Sequence, residues 1–163
     1  MNISPVAILI LTMGIVYMIV GGMSRSTAGK AGVVTNSSVE SVSMGIVIIG
    51  LLLAIAGGML MFADEKSKEK AASWVLPSAL ALSVITLIMT LVGAVSKDLD
   101  TKTGTPDQID AKKKLKMWFW FIFALSMVTV VVVGGMMYKE HNDKKEKTVE
   151  DDLTAKFGFD FEF

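Results

Sequence analysis

The sequence predicts an all-α integral membrane protein. Four transmembrane helices form an antiparallel bundle, and a charged C-terminal tail ends in a short strand-like segment. Three observations carry this reading. The chain of 163 residues is 52% hydrophobic, and its apolar residues are gathered into blocks at 5–22, 44–62, 74–95 and 117–138 rather than spread periodically. At about 1.5 Å of rise per residue, each block approaches the roughly 30 Å hydrocarbon core of a bilayer. No Asp, Glu, Lys, Arg or His falls inside any block. The connections are too short for a second core, so residues 1–138 read as one transmembrane domain and 139–163 as an extramembrane tail.

The first span follows an N-terminus, MNISP, without Lys or Arg, so it reads as a retained anchor rather than a secretory signal. Pro5 suits the first helical turn, where a missing N–H costs little. Residues 23–43, rich in Ser, Thr, Gly and Ala, read as a flexible connection.

The second span, MGIVIIGLLLAIAGGMLMF, is the expected packing spine. Ser37-x-x-Glu40 matches a capping box ahead of it. Gly50, Ala54 and Gly58 recur every fourth residue and make a smooth face. In lipid, close backbone approach along such a face is a main source of helix association.

ADEKSKEKAAS then reads as a solvated hairpin, and Trp74 falls where an interfacial aromatic belongs. The third span carries Ser78, Ser83, Thr86 and Thr90, whose hydroxyls suit bonds within or between helices.

Before the fourth span, Thr105-Pro106-Asp107-Gln108 offers an N-cap, a proline at the first helical position and Gln at N3. One helix should therefore run from about Pro106 through the span. Its first turns carry Lys112, Lys113, Lys114 and Lys116, with Asp110 and Lys114 four apart in the favourable order. Trp118 and Trp120 follow at once, and Tyr138 marks the far boundary. Basic residues beside an aromatic belt suit anionic lipid headgroups. Gly-Gly-Met recurs near the ends of three spans, and Gly134 and Gly135 join the expected packing positions.

In the tail, Phe157, Phe159, Phe161 and Phe163 occupy alternate positions. That is the strand period and places the rings on one face. A lone strand of this kind needs a partner, and the edge of a soluble protein's sheet is the natural one.

Composition excludes several classes. The chain has 16 basic and 16 acidic residues, zero net charge, no cysteine and one histidine, His141. Nucleic acid is not an expected partner, and thiolate or multi-histidine metal sites are ruled out. No nucleophile–base pair or carboxylate–metal set is visible, so neither an enzyme nor a cofactor is expected. Proton relays and ion pathways usually need intramembrane charges. The expected function is a non-enzymatic scaffold that anchors a membrane to a soluble assembly through its tail. A virion membrane beneath a protein shell would suit it, as would a small subunit of a large complex. The alternative is a pore or accessory transport subunit, a homo- or hetero-oligomer built on the glycine faces. An even number of spans puts both termini on one side. The positive-inside count ties, with eight basic residues on each side.

Overall fold

A computed structural model describes residues 4–33 and 37–157. These form four helices: α1 (Ser4–Lys30), α2 (Ser38–Phe62), α3 (Glu65–Val95) and α4 (Pro106–Phe157). A short 3-10 turn, Lys97–Leu99, follows α3. All four are long and apolar enough to cross a membrane, over Pro5–Lys30, Ser38–Phe62, Lys70–Val95 and Pro106–Lys139. The chain is thus compatible with a multi-pass integral membrane protein.

The helix boundaries correct the expected loops. α1 does not stop at residue 22 but runs on to Lys30, since Met23–Lys30 contains no proline and an isolated Gly29 is tolerated. It ends at Gly32, whose φ of +68° is the left-handed conformation that favours glycine. The Gly32 N–H donates to Gly29 O at 3.3 Å and that of Val33 to Ala28 O at 3.2 Å, the paired bonds of a Schellman stop.

The expected solvated hairpin is almost all helix. Glu65–Ala72 is rich in Lys, Glu and Ala, strong helix formers, so only Ala63 and Asp64 separate α2 from α3. Amides of Ser67 and Lys68 donate to Asp64 O at 2.8 and 2.9 Å and close the first turn. Pro77 sits inside α3 and removes the N–H that Ser73 O would otherwise accept.

The N-terminal caps take the expected form. Ser37 Oγ accepts from the Glu40 amide at 3.2 Å. At α4, Gln108 Oε1 accepts from Thr105 N at 3.0 Å, and Thr105 Oγ1 accepts from Gln108 N at 3.4 Å. This reciprocal pair satisfies two otherwise orphaned donors.

The helices meet as α1 with α2, α2 with α3, α3 with α4 and α4 back with α1. Gly21 lies against Ser43 and Val47, Gly14 against Gly50 and Ala54, and Gly57 against Leu11. Numbers rise along α1 as they fall along α2. Tyr17 with Ser126 and Gly32 with Gln108 give the same sense for α1 and α4. Gly93 with Phe119 and Gly134 with Leu80 do so for α3 and α4.

Burial is inverted relative to a water-soluble protein. Every exposed large hydrophobic residue among those described lies between Ile8 and Met23, Met44 and Phe62, Trp74 and Val95, or Met117 and Tyr138. Meanwhile Ser43, Ser83, Thr86, Thr90, Ser126 and Thr129 are fully buried, among Ile10, Ile46, Leu53, Leu76, Leu115, Phe119 and Ile122. Apolar side chains cover the outer surface of the spans, and most of their hydroxyls lie inside, Thr12 and Ser78 being exposed exceptions, an arrangement that suits a hydrocarbon solvent. Each of those six hydroxyls donates to a carbonyl of its own helix four residues back, at 2.7–3.0 Å.

Candidate functional site

Three surfaces hold the residues singled out above: a glycine seam, a lysine and aromatic collar, and the extension of α4.

The seam joins α1 to α2. A Cβ on Gly50 would meet Gly14 O and Met18 N at 2.7 Å, and one on Gly14 would clash with the Ala54 amide and lie 2.6 Å from Gly50 O. Backbone therefore packs on backbone at Gly50 and Ala54. Gly58 has open space around its Cβ position, and the contact falls to Gly57, against Leu11 N and Cα. Gly134 has a single neighbour, Leu80 Cδ1 at 3.8 Å, and Gly135 has none within 4 Å. The sequence offers Gly14, Gly21 and Gly22 as close-packing positions of the first span, and Gly14 and Gly21 make the contact while Gly22 has open space; the seam position it does not single out is Gly57. Its signal is a spacing of seven: Ala7, Gly14, Gly21 and Ala28 on α1, and Ser43, Gly50 and Gly57 on α2, all buried.

A hydroxyl pair ties α1 to α4. Tyr17 Oη lies 2.6 Å from Ser126 Oγ. The serine proton is donated to Ile122 O at 2.8 Å, so the tyrosine is the donor between them.

The collar surrounds the start of α4, but its four lysines are not equivalent. Lys112 turns inward to the preceding loop, and its Nζ donates to Asp100 O and Thr103 O, both at 2.9 Å. It pins the turn rather than facing lipid. Lys114 pairs with Asp110 at 2.8 Å, with both side chains 61% exposed. The pair holds the Asp110 carboxyl below its ordinary range, chiefly through the Lys114 hydrogen bond, and raises the Lys114 ammonium for the same reason. Lys113 and Lys116 are exposed. Trp118 is half-buried, and Trp120 stacks edge-on against Phe123 with centroids 5.4 Å apart. Met23, Val20, Met117, Trp118 and Phe121 line an apolar groove of about 310 Å³ between α1 and α4.

Near the opposite boundary Phe62 on α2, Trp74 on α3 and Tyr138 on α4 are exposed aromatics, Trp74 and Tyr138 being 75% and 69% accessible. Between α3 and α4 lies a groove of about 480 Å³ reaching Pro77, Met137 and His141. From Trp118 to Tyr138 is 20 residues, about 30 Å of helix, which matches the hydrocarbon thickness.

The third surface corrects the expected tail. α4 does not end at Tyr138 but continues as helix to Phe157, giving 52 residues and a length of about 78 Å. The physical reason lies in residues 139–157, which contain no Gly or Pro. They also place Glu140 and Lys144, Asp143 and Lys147, and Asp152 and Lys156 four apart with the acid first, the order that supports a helix. Phe157 is therefore helical, whereas Phe159, Phe161 and Phe163 lie outside the described residues. Among the described residues, no group of three or more His, Asp or Glu is placed to hold a metal.

Comparison with known proteins gives no match: no family model, curated protein or solved structure is similar to this chain.

Proposed function

We propose that this chain is a non-enzymatic structural protein that crosses a membrane four times as an antiparallel bundle. It holds a soluble protein assembly to that membrane through its C-terminal arm. One observation carries the reading: α4 is a single 52-residue helix from Pro106 to Phe157. About 28 Å of it, residues 139–157, extends past the apolar stretch. A continuous helix transmits position and load from its tip to the bundle, which a flexible tail would not.

Beyond Gly158, Phe159, Phe161 and Phe163 keep the strand period. The segment suits addition to the edge of a partner's sheet, with alternate rings in pockets. Both termini fall on the side of the assembly. A virion membrane under a protein shell fits, as does a large membrane complex. The pore alternative has less support, because six of the seven buried Ser and Thr hydroxyls among the described residues donate to carbonyls of their own helices, Ser24 being the exception.

The test compares the intact chain with one ending at Lys156, cross-linked in its native membrane and gently solubilised. A soluble, sheet-rich protein should accompany the intact chain and be lost with the truncation, while membrane insertion is unchanged. Identical partners for both would refute the docking role.

A further inference from the structure

One groove lies between α1 and α4. Its wall is apolar, formed by Val20 and Met23 from one helix and Met117, Trp118 and Phe121 from the other. Its volume of about 310 Å³ lies at the small end of ligand-sized cavities, which run from about 300 to 1,000 Å³. It sits inside the outward-facing apolar band, at the depth of the collar aromatics. We propose that this groove binds one acyl chain of an anionic phospholipid, whose phosphate is held by Lys30 and Lys114.

The helical period places the two cations. Lys114 stands four residues before Trp118 and seven before Phe121, on the groove face and one turn further out. Lys30 stands seven residues after Met23, on the same face of α1. The α1–α4 pairing of Gly32 with Gln108 and Tyr17 with Ser126 brings these outer turns to within about one helical turn of each other.

Neither lysine is committed elsewhere. Lys30 has no ion pair among the described residues. The Lys114–Asp110 pair is solvent-exposed on both sides, and exposed pairs of this kind are weak, so Lys114 is free to exchange a carboxylate for a phosphate. Thr27 spends its proton on Met23 O at 2.9 Å, which leaves the lysines as the donors. Helix α1 carries no acidic residue, so the carboxylates on the groove face are those of α4, Asp110 and Asp107, which stand four and seven residues before Lys114 and further out from Trp118. Trp118 supplies an indole N–H at the depth of lipid ester groups.

The site presupposes that the helices are embedded in a bilayer, and the test separates that premise from the site itself. Two full-length single-tryptophan versions are placed in vesicles. One keeps Trp118, with W74F and W120F. The other keeps Trp120, with W74F and W118F. Quenching by phosphatidylglycerol brominated in its acyl chains is compared with quenching by brominated phosphatidylcholine. Each cation near a surface contributes about fivefold, so two give about thirtyfold preference for the anionic lipid at Trp118. K30Q together with K114Q should abolish that preference, and K113Q with K116Q should leave most of it.

Equal quenching of Trp118 by both lipids overturns the proposal. So does a preference lost equally in the two double variants, which would mark a general attraction to the collar. If neither tryptophan is quenched by any brominated lipid, the embedded reading itself has failed.

Discussion

Adding one methyl group at Gly57, and separately at its neighbour Gly58, tests the packing of α1 on α2. The Cβ of Gly57→Ala would press on the Leu11 amide and lie 2.7 Å from Leu11 Cα, both backbone positions that no rotamer change relieves. Ordinary contact begins near 3.4 Å, so the two helices would have to part by about 1 Å at that level. Overpacking of this kind costs about 1–3 kcal/mol, and in lipid it strikes the close approach that itself holds the helices together. At Gly58 the same methyl meets nothing within 4 Å. Both substitutions share the gain of about 1 kcal/mol from alanine's better helix propensity, so that term cancels when they are compared. Gly57→Ala should thus be about 1–3 kcal/mol less stable than Gly58→Ala, the latter equal to or above the parent. Reversible unfolding in mixed micelles, followed by circular dichroism against denaturing detergent, reads the difference. Equal stabilities, or a greater loss at Gly58, would refute the placement of the seam.

Three further outcomes follow from the geometry. Tyr17→Phe removes the 2.6 Å bond to Ser126 and should cost about 1 kcal/mol or less in the same assay, since hydrogen bonds between membrane helices are modest. Lys112→Met frees the carbonyls of Asp100 and Thr103, so limited proteolysis with a nonspecific protease should cut residues 100–105 faster without changing the helices. The Asp110–Lys114 pair sets a pH window with two signs. A depressed carboxyl pKa stabilises the folded state above the unfolded value, and that contribution fades as pH falls through the folded value. A raised ammonium pKa contributes below the ordinary lysine value and fades as pH climbs through the folded one. The pair is therefore whole at neutral pH. Carboxyl NMR should find Asp110 titrating below its ordinary value and rising toward it in Lys114→Gln, with Lys113 still lowering it; no change on that substitution would remove Lys114 as the main cause.

What the sequence made legible was the part decided by the solvent. Uncharged runs of 18–22 residues mark where a chain can meet hydrocarbon, and the exposed large side chains occupy nearly the same intervals. Local chemistry was legible too, as in the caps at Ser37 and Thr105 and the spacing of Asp110 and Lys114. Helix ends outside the apolar runs that carry no cap signature are not, because charge alone does not distinguish a loop from an exposed helix. Glu65–Ala72 and residues 139–157 are polar, yet both are made of good helix formers and lack an internal Gly or Pro. Polarity sets where a helix leaves the membrane; only capping and breaking residues set where it stops. The role of Lys112 was hidden for another reason. Its partners are carbonyls of Asp100 and Thr103, and backbone acceptors carry no residue-type signal.

The glycine seam shows why one helix read alone misleads. Gly50, Ala54 and Gly58 look like a face because they recur every fourth residue. At about 100° per residue each such step drifts by roughly 40°, which carries Gly58 about 80° away from Gly50. A step of seven drifts by only about 20°, and so keeps Gly57 on the line through Gly50. The two spacings share Gly50 and diverge about two turns later, at Gly57 and Gly58, so α2 cannot choose between them. The choice lies in α1, where Ala7, Gly14, Gly21 and Ala28 repeat at seven and at no shorter interval. Two helices in long contact need surfaces of the same period, and seven is the period both possess. Taken as a pair, the two stripes select Gly57 from sequence alone. They also predict that lengthening α1 by one residue between Gly14 and Gly21 should uncouple the helices, whereas the same insertion beyond Lys30 should leave the seam intact.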